Sequence, residues 1–81
     1  MSQISLDDYN ALVKIAADKY AREHNIKAPL YRHIKTGKHY FVINDSLIQC
    51  TNGHENETYI LYSDGIREYV RESREFYQKF S

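Results

Sequence analysis

The hydrophobic periodicity changes once along the chain, and Pro29 marks the place of the change. Before Pro29, apolar residues recur with the period of about 3.6 residues that is typical of an α-helix; from residue 30 onward the period is two, as in β-strands. Proline cannot continue a helix, and it disfavours the helical conformation in the residue before it. The sequence therefore predicts an N-terminal helix followed by a β-rich part.

The predicted helix covers residues 6–24. Ser5 is followed three residues later by Asp8, which is an approximate capping box, and Asp7 adds negative charge at the positive end of the helix dipole. Ile15 lies outside the apolar side of this helix and is a candidate contact for a partner. The residues that share an arc of about 140°, and that we expect to face the core, are Leu6, Tyr9, Leu12, Val13, Ala16, Ala17 and Tyr20.

Short runs rich in Tyr, Ile, Val and Thr follow the helix, and they are separated by glycines. Gly37, Gly53 and Gly65 lie in the breaks, where positive φ is needed, and Asp64-Gly65 is a strong signal for a tight hairpin. Consecutive hairpins predict strands that are antiparallel to their neighbours. The predicted strands are residues 30–35, 38–44, 47–52, 57–63 and 66–71.

A sheet of such short strands can curl on itself and so remove its exposed edges. We therefore expect a single α+β, mainly β domain over residues 1–81. In it, the N-terminal amphipathic helix precedes a five-stranded antiparallel SH3-like barrel at residues 30–71, and a short C-terminal helical turn at residues 72–80 closes one end of the barrel.

Charge and cysteine content restrict the classes of function. Eleven basic and eleven acidic side chains give a formal net charge of zero, so no net field attracts the whole chain to nucleic acid or to a membrane. Cys50 is the only cysteine, which fits a reducing cytoplasm better than secretion, and we expect it to be buried in a strand. No run approaches the roughly 20 apolar residues of a membrane span. We predict a cytoplasmic protein with no membrane partner.

No motif for catalysis or metal binding is present. The four histidines have none of the spacings typical of zinc sites, and the isolated glycines form neither a phosphate loop nor a dinucleotide fingerprint. Ser63 with His33 could be imagined as a nucleophile and its base, but Ser-Asp-Gly is ordinary hairpin chemistry. We therefore expect no enzyme, no metal and no cofactor. The histidines are His24, His33, His39 and His54.

Aromatic and basic residues alternate on the predicted strands. A Tyr ring can stack on a base or on a guanidinium group, and Arg or Lys can bind phosphate or carboxylate, so this composition suits a polar-aromatic pocket or a peptide groove. The alternative is that these are ordinary strand and core residues, because Tyr is favoured in strands. The candidate residues for binding a ligand or partner are Tyr31, Arg32, His33, Tyr62, Tyr69 and Arg71.

The segment from Tyr31 to Ile43 reads Tyr-Arg-His-Ile-Lys-Thr-Gly-Lys-His-Tyr-Phe-Val-Ile. It resembles a family of small uncharacterised bacterial and phage domains that begin with a Tyr-Arg-His-x-Lys strand, a glycine turn and a second strand with Tyr and Val. Glu72 stands where that family tends to have proline. The resemblance covers residues 30–80 and implies an SH3-like barrel without an established activity, so it assigns no catalytic residue. Its later matches are residues 59–62, Asp64-Gly65, Val70-Arg71 and Phe76.

Our leading hypothesis from the sequence is a non-enzymatic small binding module, such as a phage accessory protein that engages a host or other cellular protein or sequesters a small polar ligand. One alternative is a nucleic-acid or nucleotide-binding domain, in which Arg32, Lys35, Lys38 and Arg71 would contact phosphates. Another is a small enzyme or enzyme subunit with His33 beside a nucleophile. A homo-oligomer formed through the helix or an open strand edge is a further hypothesis.

Overall fold

The structure, a computed structural model, describes residues 4–48 and 57–81. Cys50, Gly53, His54 and most of the predicted third strand lie outside these residues. The strands form one antiparallel sheet in the order β1-β2-β3-β4, so each strand pairs with its neighbours in sequence. The elements are α1 (Leu6–His24), β1 (Leu30–Arg32), β2 (His39–Ile48), β3 (Thr58–Ser63), β4 (Glu68–Glu72) and α2 (Ser73–Lys79).

The sheet is open, so the predicted closed, five-stranded SH3-like barrel is wrong. The reason lies at Asn44-Asp45-Ser46, where the sequence predicts a break between two strands. Asn44 Oδ1 accepts hydrogen bonds from the backbone amide of Ser46 at 2.9 Å and from its hydroxyl at 3.2 Å. The register against β3 shifts on both sides of Asn44. This irregularity absorbs the polar residues as a bulge does, and β2 continues through it to Ile48.

Helix α1 is present as predicted, and both of its ends are capped. The Ser5 hydroxyl accepts a hydrogen bond from the backbone amide of Asp8 at 3.1 Å, which satisfies one of the free amides of the first turn. At the other end, Asn25 adopts a left-handed conformation with φ of 53°, and its amide donates to the Ala21 carbonyl. These caps explain why the helix ends before Pro29.

The buried side of α1 is narrower than the sequence predicts. Val13 and Ala17 are buried, but Leu6 and Leu12 are exposed, and Leu12 retains 57% of its accessible surface. The helix packs mainly on β2, so only a narrow stripe of its surface is covered. Ile15 is exposed, as its position outside the predicted arc indicates.

Adjacent residues of β2 are buried on opposite faces of the sheet. Phe41 is 1% exposed and packs in a cluster with Val13 and Ala17 of α1. Val42 is 7% exposed and belongs to a second cluster, which includes Phe76 of α2. The described residues therefore form two small cores, one on each side of the sheet. Neither described helix is long and apolar enough to span a membrane.

After α2, the chain returns to the outer edge of β1. Arg32 and Ser81 exchange two backbone hydrogen bonds of 2.9 Å each, and the Ile34 amide donates to the Lys79 carbonyl at 2.8 Å. Phe80, between these bonds, is buried in the second cluster. The outer edge of β1 is therefore occupied. Within residues 4–48 and 57–81, the outer edge of β4 has no strand beside it.

We predict that Gly65→Ala destabilises the protein more than Gly37→Ala. Both glycines have positive φ, 96° and 77°, which strains any residue with a Cβ. At Gly65 the new Cβ would lie 2.7 Å from the Cβ of Ala16, whereas at Gly37 the nearest atom is a flexible Leu6 methyl at 3.2 Å. We expect the free energy of unfolding, measured with urea, to fall by about 2–4 kcal/mol for Gly65→Ala and by about 1 kcal/mol for Gly37→Ala.

A double-mutant cycle separates the collision from the backbone strain. Ala16→Gly removes the methyl group that Gly65→Ala would meet, so the loss caused by Gly65→Ala should shrink by about 1 kcal/mol in the Ala16→Gly background. If the loss were the same in both backgrounds, the direct packing of the β3–β4 turn on α1 would be contradicted.

Candidate functional site

Aromatic rings cover the side of the sheet that faces α2. Tyr62 is 4% exposed and stacks on Tyr69 with ring centroids 5.4 Å apart. Phe76 and Phe80, which are four residues apart, stack on each other at 4.3 Å, and each meets Tyr62 edge-on at 5.2 Å. Because α2 and the residue after it supply rings that fill the space over Tyr62, this tyrosine is a core residue.

Arg71 links β4 to its neighbours. Its Nε donates to the Tyr62 hydroxyl at 3.2 Å, and its guanidinium also donates to Glu75 Oε1 at 2.7 Å. The Lys79 ammonium lies 3.6 Å from the same carboxylate oxygen. The hydrogen bond with Tyr62, opposed by burial and aided by the charge of Glu75, raises the pKa of Arg71 above its ordinary value. Arg71 thus holds β4 against β3 and α2.

The structure brings most of the predicted site residues to this aromatic face. Tyr31 meets Phe76 edge-on at 5.2 Å, and His33 meets Phe80 edge-on at 5.0 Å. Arg32 is exposed and lies on the opposite face, because successive residues of a strand point to opposite sides. Tyr62 contacts both Tyr69 and Arg71, as described above. A ligand on this face stays a prediction.

His33 lies at the margin of the aromatic face. Its Nδ1 is 3.0 Å from the Thr36 hydroxyl oxygen, which also accepts a hydrogen bond from the backbone amide of Lys38 at 3.3 Å. Burial, followed by the positive charges of Arg71, Lys79 and Lys35, lowers the pKa of His33. The ring is therefore mainly neutral at pH 7, and the hydroxyl near it shapes the β1–β2 turn. No three His, Cys, Asp or Glu residues among those described are grouped to hold a metal ion.

Asp64 joins the β3–β4 turn to α1. Its Oδ1 accepts hydrogen bonds from the backbone amides of Ile66 and Arg67 at 2.9 and 2.8 Å. Its Oδ2 accepts the Tyr9 hydroxyl of α1 at 3.3 Å and lies 3.5 Å from the Tyr69 hydroxyl. Burial disfavours the charged carboxylate, but these amides and the Tyr9 hydroxyl together lower the pKa of Asp64 below its ordinary value. Burial, followed by the negative charge of Asp64, raises the pKa of Tyr9.

Among the residues that the structure describes, those on the opposite side of the sheet cover it only in part. Helix α1 packs over Phe41 and Ile43, and past the bulge in β2 an apolar groove of ≈ 460 Å³ opens on the same side. Ile48 and Val70 keep 63% and 60% of their surfaces exposed. We call this feature the β4 groove; it is lined by Leu47, Ile48, Tyr59 and Val70.

Carboxylates are neighbours of two residues that line the β4 groove, Tyr59 and Val70. The Tyr59 hydroxyl donates to Glu57 at 3.1 Å, and burial, followed by Glu57 and Glu72, raises the pKa of Tyr59. Glu68 and Glu72 lie two residues before and after Val70 in β4, so they share its side of the sheet. Neither Glu68 nor Glu72 forms an ion pair within the part of the chain that the structure describes.

Sequence reasoning missed the β4 groove, although a signal was present. Tyr59-Ile60-Leu61-Tyr62 is an unbroken apolar run, which indicates a strand with apolar side chains on both faces. Each face of such a strand needs a cover. Phe76 of α2 and Phe80 pack on Ile60 and Tyr62, whereas Tyr59 and Leu61 are only half-buried.

Comparison with known protein families, curated proteins and solved structures yields no match. The resemblance to a family of small bacterial and phage domains therefore stays a prediction from the sequence, and the function has to be argued from the surfaces described above.

We predict that Asp64 contributes to the pH dependence of stability in the acid range. Because folding lowers the pKa of Asp64 below its ordinary value of 3.8, its contribution is present above that pH and is lost as the pH falls through the folded value. Asp64→Asn should therefore flatten the fall in the free energy of unfolding between about pH 4 and pH 2, measured by urea titration.

Tyr9→Phe tests the contact that α1 makes with Asp64. Losing the donated hydrogen bond should cost about 1 kcal/mol at pH 7 and move the pKa of Asp64 back toward its ordinary value. Carbon-detected NMR titration of the Asp64 carboxyl measures that movement. An unchanged pKa would contradict the contact, and Tyr77→Phe, on the exposed side of α2, is the matched control.

Proposed function

We propose that this chain is a non-enzymatic binding module that holds apolar side chains of a partner protein in the β4 groove. The observation that carries this proposal is an apolar groove whose lining includes no residue of either described helix, and in which Ile48 and Val70, in the strands on either side of β3, keep 63% and 60% of their surfaces exposed. Exposed apolar patches that are rimmed by polar residues are characteristic of interaction sites.

Two features of the groove favour a protein segment over a small polar ligand. Its lining is aliphatic apart from Tyr59, whose hydroxyl is already engaged by Glu57. It is also open at the side of β4, the sheet edge that no described strand covers, so a chain can enter along its length. Extended segments commonly bind at such edges, where side-chain pockets next to the edge give specificity.

In this proposal the aromatic face has a supporting role. Tyr62, Tyr69 and Arg71 hold β4 against the rest of the sheet through ring stacking and hydrogen bonds. A rigid edge strand lowers the loss of conformational freedom on binding, which favours affinity. The predicted candidate residues would then act on binding by positioning β4.

A selection of displayed random peptides tests the proposal. Peptides selected on the immobilised full chain should lose affinity at least about tenfold for Val70→Asp, because a carboxylate replaces an apolar contact that is worth about 1–2 kcal/mol. Binding is measured by fluorescence polarisation, and circular dichroism verifies that the variant is folded.

Ile15→Asp is the matched control, since Ile15 is as exposed as Val70 but lies on α1, which packs over another part of the sheet. It should leave peptide affinity unchanged. Selected peptides that bind both variants as well as the parent chain, or a selection that yields no binders, would refute the β4 groove as a binding site.

A further inference from the structure

We propose that the partner of the β4 groove is an extended segment with the pattern basic-x-apolar-x-basic, which adds to the outer edge of β4 as an antiparallel strand. This inference rests on the proposed function and specifies the chemistry of the partner. It combines the hydrogen-bonding direction of the β4 backbone, the charges that flank Val70, and the poor fit of β4 to a second copy of itself.

At alternate residues, the backbone of β4 directs its N–H and C=O groups toward the outer edge, where no strand within residues 4–48 and 57–81 pairs with them. The Asp64 amide donates to the Arg67 carbonyl, and the register continues from this pair to Tyr62 opposite Tyr69. Because antiparallel strands alternate between hydrogen-bonded and non-hydrogen-bonded pairs, Tyr69 directs its N–H and C=O toward β3. Glu68 and Val70 therefore direct theirs toward the outer edge, where an added strand can bond to them.

The side chains of β4 determine which residues an added strand can place along this edge. An added strand would place one residue opposite Val70, on the side of the β4 groove, and residues two positions away on either side opposite Glu68 and Glu72. An apolar residue at the centre would pack against Val70, which lines the groove. Lys or Arg at the flanking positions would pair with carboxylates that have no ion-pair partner among the described residues.

The lysine and arginine side chains near the outer edge of β4 offset only part of the negative charge of its carboxylates. Lys19 of α1 lies in the pocket next to Glu68, but its ammonium is 3.8 Å from Glu23. Arg74 lines a small pocket together with Glu57 and Glu72, so it offsets part of the charge at that end only. A strand carrying acidic residues would meet repulsion at both flanking positions.

A second copy of the chain fits this edge poorly. Antiparallel self-pairing centred on Val70 places Glu68 opposite the Glu72 of the other copy, and pairing centred on Tyr69 places Arg67 opposite Arg71. Pairing centred on Arg71 places two arginines face to face. In each of these registers the side chains of the two copies lie on matching faces of the sheet, and like charges come together. Such repulsion is a known way in which sheet edges avoid pairing with each other.

Two labelled peptides of seven residues test the charge pattern: Thr-Lys-Thr-Ile-Thr-Lys-Thr and its counterpart with Glu in place of both Lys. We expect the basic peptide to bind the full chain at least about tenfold more tightly than the acidic one. In the double variant Glu68→Lys, Glu72→Lys this preference should reverse. The variant Asp18→Lys, Asp45→Lys, which has the same change in net charge at exposed positions outside β4, should keep the preference of the parent chain.

NMR amide spectra locate the bound peptide. The backbone amides of Glu68 and Val70 should shift most and should exchange with solvent more slowly, whereas the amide of Tyr69, already directed to β3, should change less. Shifts centred on α1 or on the aromatic face would overturn strand addition. Equal binding of the two peptides, or loss of preference in both charge variants alike, would overturn the charge pattern.

The outcomes also separate this inference from the proposed function. Selected random peptides that need Val70 but lack basic residues would overturn the inference and leave the binding module intact. If neither those nor the designed peptides bind, both proposals fail. A concentration-dependent dimer in sedimentation that Val70→Asp abolishes and that the basic peptide leaves intact would assign the edge to a second copy of the chain and overturn the inference.

Discussion

The architecture depends on one strand that has to be buried on both sides. Phe41 and Val42 are neighbours in β2, and because successive side chains of a strand point to opposite faces, the two can be buried together only if each face has its own cover. Helix α1 covers Phe41, while α2 and Phe80 cover Val42. A closed barrel offers a single interior and could not bury both residues without an external layer. The open sheet between two helices is the arrangement that satisfies this strand.

How much of this fold the sequence predicts depends on how local each signal is. The cap at Ser5 and the turn at Asp64-Gly65 act over a few residues, and both form as expected. The segment Asn44-Asp45-Ser46 also looks like a turn, but there the Asn44 side chain satisfies Ser46 while the strand continues. Whether such a segment reverses the chain or forms a bulge is decided by the partner strand, which local sequence does not contain.

In the candidate site, too, the sequence predicts what depends on local geometry and misses what depends on distant parts of the chain. Alternation along residues 31–33 correctly places Tyr31 and His33 on one face and Arg32 on the other, because that geometry is local. The burial of Tyr62 depends on Phe76 and Phe80, which arrive from α2 and the residue after it. The β4 groove, in turn, exists because α1 does not extend over the far half of the sheet. The extent of a helix over a distant sheet is a tertiary property, so composition and periodicity indicate apolar faces but not which of them stays uncovered.

The pairing of residues 32–34 with residues 79–81 has a consequence for motion. All strand pairs of the sheet connect sequence neighbours, whereas this pairing encloses almost the whole β-rich part of the chain. The entropy lost on closing a loop grows with the length of the loop, so this pairing costs more conformational entropy than the pairing of strands that are neighbours in sequence. We expect it to open as a separate unit while the hairpins persist. Since Phe80 is buried through this contact, its opening would briefly admit water to the aromatic rings over Tyr62, so that solvent access to this core is controlled by a few terminal hydrogen bonds.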